Sequence, residues 1–192
     1  MRPIMLHPII KPGLDILFVG LNPGGSSSEK GHYFSTNSAL WNQLYESGLI
    51  TRPVDMNDAD ERVFRSSEIN ANGWVYGITD LVNDLAESDS RKVSPTNENC
   101  RNLVQTILEY KPKVVVLLHS KVIKRFVKGF LGKEDVEYGN LGKLIDGSDT
   151  VFFNVPFPCG NVITSETKVE LYKQVKETLE SWDTLIDTHV FR

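Results

Sequence analysis

The sequence predicts an α/β fold, a three-layer α/β/α sandwich around a central, mainly parallel sheet of four strands. Two observations lead there: short apolar runs alternate with amphipathic stretches along the chain, and the strongest apolar runs pass through loops into helical periodicity. A third is that no internal repeat or low-complexity linker divides the 192 residues. One domain over residues 1–192 is therefore expected.

Asp15–Gly20 (DILFVG) reads as a buried strand, followed by the Gly/Ser-rich loop NPGGSSSEKG. Ala39–Ser47 reads as a helix closed by Gly48, with Leu40, Leu44 and Trp41 inward. Asp58 to Glu61 has capping-box spacing and opens a short helix. Trp74–Val82 (WVYGITDLV) reads either as a strand or as a loop entering a turn. Ser94 as cap and Pro95 as first helical residue start a helix that reaches Tyr110.

Val114–Leu118 is an apolar strand, and His119 and Ser120 lead from it into a helix over Lys121–Lys128. Asp135–Asp149, with Gly139, Gly142 and Gly147, reads as a loop or hairpin. Val151–Val155 is the last strand, PFPCGN a turn-rich loop, and Ser165–Leu185 a long terminal helix. In such a sandwich ligands bind outside the carboxyl ends of the strands. The loops to inspect for chemistry are therefore GLNPGG, LHSK and VPFPCGN.

A hydrophobic content of 40% is enough for a real core. Met1–Pro12 lacks the continuous apolar stretch of a signal peptide, and no run approaches the ~18 apolar residues of a membrane span. These features predict an intracellular protein with no membrane partner, cytoplasmic in a prokaryote or nuclear in a eukaryote. Cys100 and Cys159 stand far apart, and His7, His32, His119 and His189 lack ligand spacing, so no metal and no cofactor is expected. The net charge of −4 fits poorly with a protein that grips duplex DNA through many phosphates. It is compatible with DNA if basic groups such as Lys11, Lys30, Arg91, Lys121 and Lys124 converge on one face and if backbone amides at helix starts also hold phosphates.

A Gly-rich loop between strand and helix first suggests a phosphate cradle. GLNPGGSSSEKG contains neither the GK[ST] ending of a P-loop nor GxGxxG, and Pro23 removes a backbone amide such a cradle would use. Nor is there a GxSxG nucleophile elbow, which leaves a small-molecule hydrolase as a distant alternative.

The residues that do stand there resemble the first motif of the mismatch-specific uracil and thymine DNA glycosylases, a branch of the uracil-DNA glycosylase superfamily, in which Gly-x-Asn-Pro-Gly follows the first core strand. KGHYF at 30–34 is similar to the family segment that carries an aromatic ring, and Phe34 lies twelve residues after Asn22. LWNQLYESGL, GITDLV, LHSK and VELYKQV resemble later segments in the family's order, so the likeness covers about Asp15 to Leu179.

The resemblance implies a monofunctional glycosylase, without cofactor, that hydrolyses the N-glycosidic bond of uracil or a related deaminated or mismatched base in DNA, double- or single-stranded. A monomer is implied, and no lysine stands where a Schiff base would form. An extruded base must stack on a ring and have its edge read; by resemblance Phe34 is that ring, with Leu21, Gly24 and Asp80 beside the base. Asn22 is the implied catalytic residue, positioning the water. Lys30, His32, Ser120, Lys121, Phe157, Gly160 and Asn161 are the implied DNA contacts.

Each assignment has a plainer competitor. Asn-Pro-Gly after a strand is often only a tight turn, Phe34 can be core, Lys121 can be solvated, and Asp80 can be a surface carboxylate in a turn. The sequence also departs from the family pattern. Phe157 stands where a polar residue is expected, no Arg follows it, and Asp80 replaces the usual Lys or Asn. A carboxylate there repels a departing anion if ionised, or accepts from an exocyclic amine. A catalytically inactive relative that binds nucleic acid or nucleotide by the same pocket is the alternative function.

Overall fold

A computed structural model describes residues 5–160 and 162–190. The elements in order are β1 (Ile16–Gly20), α1 (Gly25–Lys30), α2 (Ala39–Glu46), β2 (Tyr76–Asp80), α3 (Asn97–Tyr110), β3 (Val114–Leu117), α4 (Ser120–Val122, continued by wider π-helical turns over Ile123–Phe130), β4 (Gly139–Lys143), β5 (Val151–Asn154) and α5 (Ser165–Val190). The sheet order is β2-β1-β3-β5-β4. All neighbours run parallel except β4, which pairs antiparallel with β5.

The predicted sandwich is present, and Trp74–Val82 resolves into strand β2. The fifth strand, β4, falls in the stretch read as loop or hairpin. It carries almost no apolar signal because it is an edge strand with two glycines, and only pairing with β5 defines it.

Side chains alternate between the two faces of the sheet, and each face buries its own core. Ile16, Phe18, Tyr76, Ile78, Val116 and Phe153 pack with Leu40, Trp41 and Leu44 of α2 and Tyr172, Val175 and Leu179 of α5. Leu17, Val19, Val115, Leu117 and Phe152 pack with Leu103 and Ile107 of α3 and Val122 and Phe126 of α4. Burial on both sides explains why β1 and β3 read as unbroken apolar runs rather than alternating ones.

Two helix starts differ from the reading of the sequence. Helix α3 begins after Thr96, not Ser94: Thr96 Oγ1 accepts from Asn99 N, and Asn99 Oδ1 accepts in return from Thr96 N at 2.8 Å, a complete capping box. The short helix near residue 60 is capped by Asp60, whose carboxylate accepts from Glu61 N, rather than by Asp58.

The chain that leaves β1 reaches α2 on one face, whereas the chain that leaves β3 reaches α4 on the other. The crevice between their carboxyl ends is the topological switch point, where α/β sheets place their ligands.

Candidate active site

A cavity of about 460 Å³ opens at that switch point, within the usual range of ~300–1,000 Å³ for small-molecule sites. Four strand ends feed it: Gly20 to Gly24 after β1, Asp80 at the end of β2, His119 after β3, and Phe157 after β5. Of the residues assigned from sequence, Leu21, Asn22, Gly24, Phe34, Asp80 and Phe157 line it. Lys30, His32, Ser120, Lys121 and Gly160 do not, and Asn161 lies outside the described residues.

Asn22 is held by its amide nitrogen. Nδ2 lies 2.9 Å from the carbonyl of Pro23, 3.1 Å from that of Leu85 and 2.8 Å from that of Glu87. Three acceptors around one end of the group decide its orientation, since an oxygen there would face only other oxygens. Oδ1 is left as the acceptor available to a ligand or water.

Phe34 adopts φ +50°, a left-handed conformation that is a true outlier for a bulky residue. Two contacts hold it there: Trp41 Nε1 donates to the Phe34 carbonyl at 3.2 Å, and the rings of Trp41 and Phe34 meet edge to face at 6.3 Å. The preceding residue is pinned as well, because buried Asp60 accepts from Tyr33 N at 2.8 Å and pairs with His32 Nδ1 at 2.9 Å. Backbone strain at a cavity wall is the kind of feature that functional sites retain.

His32 is thereby a strut for the turn before Phe34 rather than a residue of the cavity wall. With Asp60 and Glu61 it forms a group of candidate metal ligands whose atoms lie within 4.8 Å of one another. Those donors are already engaged, Asp60 by Tyr33, His32 and Glu61, and Glu61 by Arg65 at 2.9 Å.

The basic residues expected to face phosphate are also occupied. Lys121 Nζ donates to the carbonyls of Ser90 and Val93, tying α4 to the segment before α3. Lys30 donates to the carbonyl of Ser35, Lys11 to that of Arg65, and Arg91 forms a two-pronged pair with Asp89. Backbone carbonyls and a neighbouring carboxylate thus hold four of the five basic side chains, Lys11, Lys30, Arg91 and Lys121.

Phe157 sits 41% exposed between two cavities, with its ring 6.1 Å from Phe34 and 5.8 Å from His119. Beyond it lies a groove of about 860 Å³ lined by Ser120, Lys128, Tyr138, Gly160 and Val162 among others. Val162 is 97% exposed. The loop carrying Phe157 is fixed from beneath by Lys168, only 2% exposed, whose Nζ donates to the carbonyls of Pro158 and Gly160, and by Gln43 Nε2, which also reaches Pro158.

Asp80 is the second surprise. It is 6% exposed, and burial pushes its carboxyl from the ordinary 3.8 up to about 7. The carboxyl lies directly over Gly20, where a methyl group would come within 2.3 Å of Asp80 Oδ1 and force the carboxyl to move. The surface-turn reading of Asp80 is therefore corrected, for the residue ends strand β2 beside β1, is buried, and forms part of the cavity wall.

Sequence reasoning missed Tyr33 and His119 as wall residues. His119 Nδ1 accepts from Lys121 N at 3.0 Å, so the proton of the neutral ring belongs to Nε2. Burial, aided by the Lys121 charge, lowers its pKa and favours that neutral form. Its place directly after an apolar strand was the one available signal.

Fold and cavity together define an α/β protein with a small-molecule-sized pocket at the switch point of a mainly parallel sheet. The family model described as the uracil DNA glycosylase superfamily matches residues 7–179. The chain belongs to that superfamily, whose members are in general glycosidic hydrolases acting on DNA.

Proposed function

We propose that the chain is a monofunctional DNA glycosylase of the mismatch-specific uracil/thymine branch, removing uracil or a related deaminated or mismatched base and leaving an abasic site. The observation that carries this is that Asn22 and Phe34, twelve residues apart in sequence, line one cavity. In this reading an extruded base stacks on Phe34 and Asn22 Oδ1 accepts a hydrogen bond from a water beside the sugar. The glycosidic electron pair leaves with the base, the water oxygen bonds to the anomeric carbon, and the water's proton passes to the departing base or to solvent.

An amide is no strong base, so acceleration comes mainly from stabilising the leaving anion. Bases that leave as stable anions, uracil above thymine, should therefore depart faster. The groove beyond Phe157, with exposed Tyr138 and Val162 and with Lys128, suits the flanking strand, and Val162 suits an apolar insert into the stack.

A binding protein without catalysis is the second reading, favoured by the net charge of −4 and by the engaged basic side chains. Incubation with duplexes and single strands bearing uracil, thymine, hypoxanthine or xanthine, followed by alkaline cleavage of abasic sites, separates the two. Strand breaks with the native protein that vanish in Asn22→Ala support the glycosylase; no breaks from any substrate support the binder.

A further inference from the structure

Asp80 is the feature of the cavity that this reading leaves unused. Its side chain shares a face of the sheet with Tyr76 and Ile78, by strand alternation, and lies across Gly20 of the neighbouring strand. Oδ2 is buried without a hydrogen-bond partner among the described residues, and so is the hydroxyl of Tyr33, 4% exposed in the same cavity. Native interiors rarely leave such groups unmatched, and two together at a cavity wall point to a ligand that completes them.

Burial disfavours the charged form of the carboxyl, and no cation among the described lining residues offsets it. Tyr33, Glu87, His119 and Cys159 are the titratable residues lining the cavity, and no Lys or Arg lines it among the described residues. A smaller cavity on the other side brings in Asp84 with Asn99 and Asn102, while Asp60 stands behind Tyr33. Every acid in this surrounding opposes a negative charge on Asp80, and Tyr33 and Cys159 themselves have pKa values raised by burial.

We propose that Asp80 works as a neutral acid, donating its carboxyl hydrogen bond to a carbonyl of the extruded base and so stabilising the negative charge that develops there as the base departs. The proposal rests on the glycosylase reading and adds to it a further catalytic residue. No proton need be transferred: the O–H stays on Asp80 and its hydrogen bond strengthens as the base oxygen gains charge. Loss of that proton reverses the effect, because a buried carboxylate then faces a departing anion. Burial that raises the Asp80 pKa to about 7 places this reversal near neutrality.

The test is single-turnover uracil excision followed from about pH 5.5 to about pH 9 with native protein, Asp80→Asn and Asp80→Leu. The native rate is expected to fall about tenfold per pH unit above the Asp80 pKa. Asp80→Asn keeps a donor that cannot ionise, so its rate is lower but flat across that range. Asp80→Leu, apolar and of similar size, loses about a hundredfold or more at every pH. An unchanged alkaline limb in Asp80→Asn, or a native rate in Asp80→Leu, overturns the proposal.

If no form cuts any substrate, the glycosylase reading fails by itself, and binding of free uracil, followed by NMR, judges Asp80 separately. Tighter binding at about pH 6 than at about pH 8 in the native protein, with no such difference in Asp80→Asn, upholds the neutral-acid contact. Absent binding, or equal binding at both, overturns it.

Discussion

The side-chain amide of Asn22 donates to the carbonyl of Glu87 at 2.8 Å, across 65 residues of sequence. The segment after β2 thereby orients the residue after β1, and the turn that carries Asn22 is not a self-contained motif. The carbonyls of Leu85 and Glu87 decide which end of the amide faces the cavity, and the proposed water-positioning role requires that end to be Oδ1.

Asn22→Asp should accordingly be worse than a simple loss of an amide. A carboxylate placed against those carbonyls forfeits the hydrogen bonds and adds repulsion, costing about 1–3 kcal/mol of stability. Thermal unfolding is expected to show a lower Tm for Asn22→Asp than for Asn22→Ala, with excision reduced about a hundredfold or more in both. A Tm for Asn22→Asp equal to that of the native protein contradicts the orientation described.

At Phe34 ring and backbone make separable contributions. Phe34→Ala and Phe34→Gly both remove the proposed stacking face, and a loss of ~1–3 kcal/mol per base, or roughly ten- to a hundredfold in base binding, is expected from each. Glycine adopts φ +50° without strain, so Phe34→Gly should be the more stable of the two by about 1 kcal/mol. Chemical denaturation checks the order, and Phe34→Ala equal to or above Phe34→Gly would show that residue 34 carries no strain.

Lys168 holds the loop that presents Phe157. Lys168→Met keeps the aliphatic stem but leaves the carbonyls of Pro158 and Gly160 without their donor, a cost of about 1–3 kcal/mol. The expected kinetic result is a raised KM with a smaller change in kcat, because the proposed role of the loop is to meet the strand flanking the base and not the reacting bond. A large fall in kcat at unchanged KM runs against that placement.

Asp80 also makes stability depend on pH. Its folded pKa, about 7, lies above the ordinary 3.8, so between those values the folded state binds more protons than the unfolded one. The contribution is complete below the ordinary value and is lost as pH rises through about 7, a change of a few kcal/mol. Asp80→Asn should flatten that decline in urea midpoints measured across the interval; an identical decline in both proteins places the titrating group elsewhere.

Much of this was legible in the chain. The apolar runs of β1, β3 and β5 announce themselves because both faces of the central strands are buried, and the turn chemistry of GLNPG marks where the first of them ends. The family resemblance, and not the spacing alone, implied the pair Asn22 and Phe34, which the fold does bring to one cavity. Residue types are sufficient for the strands and the turn, because local geometry and burial of whole strands determine them.

Other features belong to the tertiary structure alone. Edge strand β4 exists only by pairing with β5, and Lys121, read as a phosphate ligand, turns inward because the carbonyls of Ser90 and Val93 lie within its reach. Asp80 looks like any turn carboxylate until β2 is set beside Gly20 and the surrounding walls remove its water. Burial and hydrogen-bond partnership are properties of groups brought together from distant parts of the chain. They fix protonation state and side-chain direction, which residue names do not carry.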